Sequence, residues 1–359
     1  MTTNKITYRQ LMALAFISLL SPIVRVVPDS SVVFGGKPAW VSPVVAIIPV
    51  VLLFLLINKL LKNRAEGEGL SHIIVKTFGK WFGRAVNIIF ILWLTFYTGF
   101  VLRTAAERLL STVYTNSSEI AFTIVILLTA CIAASGHIRS LARTAQVFVP
   151  ILAGIIVVVF VFLIMDIKIE NLLPITYYDI PNVLLGSIHM INAMMVFVYY
   201  TFLYGEVQDN SRKTGISYIL GLGAIIAIII VSTIGVLSAN VAKSLQSPFF
   251  AIIKGVEFFK VFERIDALVI AFWVISDFMY LGSLLNISSD IMMVTVKSKK
   301  RTIWVWLLGA ASFAISFIIS RSAFDLVRIS SYLVPGVNLF LTVIIIPVIL
   351  VVAKLRKVI

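Results

Sequence analysis

Long apolar stretches recur along this chain of 359 residues, and short clusters of charged residues separate them. Each stretch is close to the length of roughly 20 residues that a membrane-spanning helix needs. Charged residues make up only 13% of the sequence, whereas a soluble domain carries about 25%. The pattern predicts an all-α polytopic membrane protein with ten transmembrane helices. The predicted spans are 8–27, 41–61, 84–108, 119–135, 145–165, 182–205, 215–238, 267–293, 302–320 and 330–353.

The distribution of basic residues predicts the orientation of the chain. An even number of spans places both termini on one side, and the loops of that side hold most of the 30 Lys and Arg residues. Because basic loops favour the cytoplasm, we expect both termini to be cytoplasmic. The apolar N-terminal stretch is interpreted as a retained first helix. The net charge of +14 does not indicate nucleic-acid binding, since the basic residues are scattered at helix ends.

The sequence carries no motif for catalysis or for a cofactor. A zinc-protease helix, a nucleophile elbow and a phosphate loop are all missing, so we expect neither an enzyme nor a bound cofactor. The three histidines are far apart in the sequence and suggest no metal site. The single cysteine, Cys131, excludes an intramolecular disulfide.

An aspartate in the eighth span is the strongest sign of a function inside the membrane. Asp277 lies in an apolar run from 267 to 296, where a carboxylate is costly and rarely incidental. Tyr280 and Ser283 lie on nearby strips of the same predicted helix. Two interpretations stay open: Asp277 is a structural acid satisfied by a proton or a polar partner, or it is a titratable or cation-binding group that lines a pathway.

Two predicted spans carry signs of a helix break, and broken membrane helices often form binding sites. Ser21 and Pro22 lie inside the first span, where proline removes a backbone hydrogen bond. The alternative is a simple kink, because proline is common in membrane helices. The sixth span has a polar cluster without proline, and we expect its break there. This cluster comprises Gly186, Ser187, His189 and Asn192.

Charged and aromatic residues mark a candidate entrance on the side opposite the termini. Arg103 and Glu107 are spaced i,i+4 and can form a pair, either as a surface ion pair or as a wall of the entrance. Residues 247–264 include Phe249 and Phe250 and alternate apolar with charged positions. They predict an interfacial helix or a lid over a cavity. Residues 62–83 predict a second interfacial helix, on the terminal side.

The segment from 247 to 268 carries a resemblance to a known family. It reads Ser-Pro-Phe-Phe-Ala-Ile-Ile-Lys at 247–254 and Phe-Glu-Arg-Ile-Asp-Ala-Leu at 262–268, followed by Trp273 and Ser276. The motifs Ile-Thr-Tyr-Arg-Gln-Leu at 6–11 and Phe-Gly-Lys-Trp-Phe-Gly-Arg at 78–84 fit the same family. The chain resembles the B subunits of spore germinant receptors, the endospore germination permeases, over nearly its whole length.

The resemblance implies a fold and a site. The family is similar to amino-acid/polyamine/organocation transporters, which implies one membrane domain with a LeuT-like pair of inverted five-helix repeats, at about 8–165 and 182–353. The first, third, sixth and eighth spans would then form a mid-membrane site. The implied ligand-binding residues are Ser21, Pro22, Tyr97, His189, Asn192, Asp277 and Tyr280. The candidate gate or entrance residues are Arg103, Glu107, Phe249 and Phe250.

The resemblance also implies a ligand and partners. The ligand would be a small germinant, often an amino acid, and the partners would be a larger A subunit and a lipoprotein C subunit in the lipid of the spore inner membrane. Met190, Met194 and Met195 replace a clearer Gly-and-acid pair in the sixth span, which favours a ligand with an apolar side chain. Two main functions stay open, a germinant-sensing subunit and a proton- or cation-coupled amino-acid transporter, because a fold does not decide a function. An ion or water conduit within a larger receptor is a third alternative between them.

Overall fold

The computed structural model describes residues 5–112, 118–208, 211–245, 247–255, 265–319 and 323–359. Within these ranges the chain is helical, and its one β contact is an isolated bridge between Ile6 and Val207. The helices are α1 (Tyr8–Gly35), α2 (Ser42–Leu60), α3 (Leu70–Thr112), α4 (Glu119–Ser135), α5 (Ile138–Leu163), α6 (Ile169–Leu172), α7 (Ile180–Met195), α8 (Arg212–Leu237), α9 (Ala239–Ser244), α10 (Pro248–Gly255), α11 (Ile265–Val296), α12 (Arg301–Ile318), α13 (Ala323–Arg328), α14 (Val334–Leu339) and α15 (Ile346–Leu355).

The described helices confirm the prediction of an all-α polytopic membrane protein. Eight stretches are long and apolar enough to cross a membrane, or nine if the two legs of the bent α1 form one span. The 17-residue helix α4 is apolar but shorter, and it coincides with the fourth predicted span. The class is therefore established, while the count of ten spans and the two inverted repeats stay predictions.

Helix α1 begins at a capping box and bends in the middle. The Thr7 hydroxyl accepts from the Gln10 N–H at 3.2 Å, and the Gln10 amide oxygen accepts from the Thr7 N–H at 3.0 Å. The legs Tyr8–Val24 and Val26–Gly35 meet at 54°. The bend thus lies beyond the predicted break at Ser21 and Pro22. A second proline explains this position, because Pro28 lacks the N–H that would bond the Val24 carbonyl.

The sixth predicted span is not broken where the polar cluster lies, so that prediction is wrong. Helix α7 runs without interruption through Gly186 and Asn192, and the chain then tightens into a 3₁₀ helix at Val196–Glu206. Gly186 serves close packing instead: a Cβ there would lie 2.8 Å from the Ser42 hydroxyl oxygen and 3.3 Å from the Gly35 Cα. A 3₁₀ run of 11 residues is long for this geometry and marks strain or a hinge.

Helices α1 and α3 organise the centre of the bundle. Helix α1 packs against α5, α7, α8 and α11, and α3 packs against α11 and α12. Gly99 permits the close approach of α3 to α12, since a Cβ there would lie 2.7 Å from the Ser312 carbonyl oxygen. The elements that the resemblance assigned to a site, α1, α3, α7 and α11, therefore meet in the middle.

Both termini lie on the same side of the bundle. Lys5 forms an ion pair with Glu66, and the Arg356 guanidinium donates to the Thr77 carbonyl at 2.5 Å. The segment Leu70–Phe78 precedes a sharp turn at Gly79, whose φ of 81° favours glycine. This turn separates a short helical segment from the membrane-spanning part of α3, as expected for an interfacial helix. Trp81, two residues after the turn, is 89% exposed.

Candidate functional site

A small cavity lies at the centre of the bundle, where α1, α3, α7 and α11 meet the last membrane-spanning stretch. It offers about 40 Å³ to the centres of water molecules, and each water needs roughly 10–15 Å³ by this measure. The cavity therefore has room for about three waters. Its wall consists of Ser21, Pro22, Val26, Tyr97, Phe100, Val101, Thr104, Arg108, Asn192, Ala193, Asp277, Tyr280, Ser330 and Val334.

A buried ion pair dominates the chemistry of this cavity. The Arg108 guanidinium contacts one carboxylate oxygen of Asp277, and both residues are at most 6% exposed. Ser21 completes a triangle, because its hydroxyl donates to the other carboxylate oxygen at 2.5 Å and accepts from Arg108 at 2.7 Å. Removal of one partner from a buried pair leaves an uncompensated charge, which costs about 3–5 kcal/mol. The cavity thus contains one positive and one negative group, each dependent on the other.

Aromatic rings cover the ion pair from the side opposite the termini. The Arg108 guanidinium lies 5.1 Å from the ring centre of Trp273, within the range of a cation–π contact. Phe250 of α10 packs on Trp273 with ring centres 4.8 Å apart. Phe249 and Phe250 are themselves buried, and Phe250 extends the aromatic cover over Arg108 through Trp273. Residues 256–264 of the predicted lid lie outside the described residues.

Tyrosine hydroxyls form the floor of the cavity, on the side of the termini. The Tyr280 hydroxyl donates to the Tyr97 hydroxyl at 2.7 Å, and their rings meet edge to face. Closer to the termini, the Tyr199 hydroxyl and the Trp93 N–H both donate to the Asn338 side-chain oxygen, at 2.8 and 3.0 Å. The interior between the ion pair and the terminal side therefore contains buried polar groups and is not purely apolar.

Helix α7 contributes an amide to the wall of the cavity. Asn192 is only 7% exposed, and its side-chain oxygen has no hydrogen-bond partner among the described residues. An unpaired buried amide oxygen costs about 1–3 kcal/mol, so it favours a ligand that can donate to it. Ala193 lies beside it, whereas Met190, Met194 and Met195 are buried elsewhere. The apolar part of the wall comes from valines, a proline and a phenylalanine and not from the predicted methionines.

The remaining predicted site residues lie apart from the cavity. His189 stacks on Phe34 with ring centres 4.6 Å apart and does not line it. Arg103 forms an ion pair with Glu119 at the start of α4, and Glu107 is a further nearby charge that interacts with it electrostatically. The direct partner of Arg103 comes from a neighbouring helix because the acid at the first position of α4 lies beside α3, whereas an i,i+4 pair contributes only about 0.2–0.5 kcal/mol.

Sequence reasoning missed Arg108 as a site residue. Tyr97, Val101, Thr104 and Arg108 all line the cavity, and they follow one another at helical spacing on one face of α3. That spacing from Tyr97 could have placed Arg108 in the site. The sequence could not show that its partner is Asp277, which is 169 residues away.

The apolar helices and the buried charged cavity define the chain as a multi-pass membrane protein with an internal polar site. A family model described as spore germination protein matches residues 5–325, and the chain belongs to this family. The predicted resemblance is thereby confirmed at the level of the family.

Two other comparisons give less information about this chain. A search among curated proteins finds no match. Among solved structures, the chain is similar to a manganese transporter of Eremococcus coleocola in complex with an aromatic bis-isothiourea substituted compound, with 13% identity and a TM-score of 0.47, over 97% of this chain and 86% of that one.

Proposed function

We propose that the chain is the germinant-sensing subunit of a spore germination receptor and that the central cavity binds an amino acid. Its proposed setting is the spore inner membrane, with both termini in the cytoplasm and with a larger A subunit and a lipoprotein C subunit as partners. Membership of the spore germination family supports the setting. The observation that supports the ligand is the buried pair of Arg108 and Asp277 in the wall of the cavity.

The charge of the cavity favours a zwitterion. The ammonium group of an amino acid would take the place of Arg108 at Asp277, and its carboxylate would take the place of Asp277 at Arg108. A ligand with only one charge would leave one side chain buried and uncompensated, at a cost of about 3–5 kcal/mol. The Asn192 oxygen would accept a further bond from the ammonium group. Val26, Val101 and Val334 would surround a small apolar side chain.

The size of the cavity implies that binding is coupled to movement. Room for about three waters does not suffice for an amino acid. The ligand must therefore separate Arg108 on α3 from Asp277 on α11. A sensor requires this coupling, because a ligand changes a conformational equilibrium only by its difference in affinity for the two states.

An amino-acid transporter coupled to protons or cations is the second candidate. A chamber of about 670 Å³ lies on the terminal side, lined by Glu206, Asp290, Lys76 and Lys297 among others. Polar layers on α11 lie between this chamber and the central cavity. A site reached from two sides in turn is what a transporter needs. Uptake of a labelled amino acid by reconstituted vesicles would support this candidate, and binding without uptake would support the sensor.

Thermal stabilisation of the purified protein tests the proposal. An amino acid at about 100 times its Kd should stabilise the wild type by ~2.7 kcal/mol. The matching amine without a carboxylate, and the matching acid without an ammonium group, should stabilise it far less. Asp277→Asn should abolish the effect, whereas Asp290→Asn should retain it, since Asp290 pairs with Arg301 outside the cavity at 2.7 Å. Equal stabilisation by the amine, the acid and the amino acid would refute the proposed charge recognition.

A further inference from the structure

A serine hydroxyl of α11 forms hydrogen bonds with two backbone groups of α1. The Ser21 N–H donates to the Ser276 hydroxyl at 2.8 Å, and the Ser276 hydroxyl donates to the Ile17 carbonyl at 2.6 Å. These two backbone groups are four residues apart, which is the spacing at which an α-helix bonds its own backbone. Ser276 of α11 therefore bonds one donor and one acceptor of the α1 backbone ladder.

The next position of α1 lacks one bond of the helix ladder. Pro22 has no N–H, so the Ser18 carbonyl lacks the donor that a regular helix would supply. The Ser18 hydroxyl is itself directed to the Leu14 carbonyl at 2.7 Å. Directly beside the cavity, α1 is thus bonded to α11 at residue 21 and lacks a ladder bond at residue 22. Ser276 is fully buried, so no solvent replaces its hydroxyl there.

We infer that Ser276 is a positioning residue that fixes the α1 backbone at Ser21, so that the Ser21 hydroxyl meets the ion pair. Two adjacent residues of α11 then bond different groups of Ser21. Ser276 accepts from the Ser21 backbone N–H, and Asp277 accepts from the Ser21 hydroxyl. The inference rests on the proposed function in one respect, because it takes the triangle of Ser21, Arg108 and Asp277 to be the ligand site. It goes beyond that function by identifying a residue outside the cavity wall that sets the geometry of the wall.

The chain offers a matched control on the same helix. Ser288 is buried like Ser276, at 1% exposure, but its hydroxyl donates to the Leu284 carbonyl of its own helix at 2.8 Å. Removal of either hydroxyl deletes one oxygen atom from the interior of α11. Only Ser276→Ala removes a connection to α1, so a difference between the two variants reports on that connection.

The first test needs no ligand. Hydrogen exchange of the Ser21 amide in the full-length protein should become roughly two- to tenfold faster in Ser276→Ala, as expected for the loss of one buried hydrogen bond. It should stay at the wild-type rate in Ser288→Ala. Ser276→Thr keeps the hydroxyl and should restore slow exchange. Unchanged exchange in Ser276→Ala would overturn the inference.

The second test measures binding of the amino acid that stabilises the wild type. Its Kd should rise about tenfold or more in Ser276→Ala, return towards wild type in Ser276→Thr and stay unchanged in Ser288→Ala. A wild-type Kd in Ser276→Ala would refute the positioning role. If the wild type binds no amino acid, the proposed function fails, and the exchange measurement alone decides whether Ser276 fixes the α1 backbone at Ser21.

Discussion

The ion pair of Arg108 and Asp277 permits a quantitative prediction about charge inside the bundle. Arg108→Gln and Asp277→Asn each remove one charge and leave its partner at most 6% exposed. Each single variant should lose about 3–5 kcal/mol of stability, because the remaining charge is buried without compensation. At ~2–3 °C per kcal/mol, the loss corresponds to a fall in Tm of roughly 6–15 °C.

The double variant separates the energy of the pair from the effect of each substitution. In the variant with both changes, neither charge remains, and the neutral amides lose only hydrogen bonds of about 1 kcal/mol each. The double variant should therefore be more stable than either single variant. Thermal unfolding of all four proteins in one detergent at one heating rate gives the coupling energy. Strictly additive losses, or single losses below about 1 kcal/mol, would refute a desolvated, interdependent pair.

Three further predictions concern packing, the cover of the cavity and the excluded histidine. Gly69→Ala should lower Tm, because a Cβ at Gly69 would lie 2.0 Å from the Phe202 carbonyl oxygen, whereas Gly154→Ala, with open space at its Cβ, should leave Tm equal or raise it. Trp273→Ala should speed ligand dissociation, measured by stopped-flow fluorescence, because the ring covers Arg108; an unchanged rate would contradict this. His189→Phe should keep the stacking on Phe34 and leave the ligand Kd unchanged, whereas Asn192→Leu should weaken binding about fivefold or more, at ~1 kcal/mol for one hydrogen bond.

Hydrophobic length predicted the spans well, because lipid leaves the backbone little choice but a helix. Helix α4 has the predicted limits, 119–135, and α11 extends the predicted eighth span by only a few residues at each end. The position of the bend in α1 was not predicted. The sequence suggested a break at Pro22, whereas the axis turns near residue 25, where Pro28 leaves the Val24 carbonyl without its helix donor. Local sequence signals thus located the irregular helix but not the residue at which its axis turns.

Most residues that line the central cavity were predictable from the sequence, whereas the contacts between them were not. Six of the seven predicted ligand-binding residues line one cavity, because polar residues inside membrane spans turn towards one another. The partner of Asp277 was not predictable, since Arg108 looked like a surface residue at the end of its span. Pairing across helices depends on which faces pack together, and one sequence without its packing does not determine this.

On the proposed function, the two helices that carry the charges determine how a bound ligand acts on the rest of the protein. Arg108 lies on α3 and Asp277 on α11, and in the present structure they touch directly. An amino acid between them must increase the distance between α3 and α11 by the space that its own atoms need. Helix α11 also carries Trp273, one turn before Asp277, and Trp273 packs on Phe250 of α10. A displacement of α11 therefore reaches α10 through packed rings that have no room to absorb it. A transporter would have to complete this movement by opening the terminal side, whereas a sensor needs only the displacement of α10, so the response of the terminal side to ligand distinguishes the two.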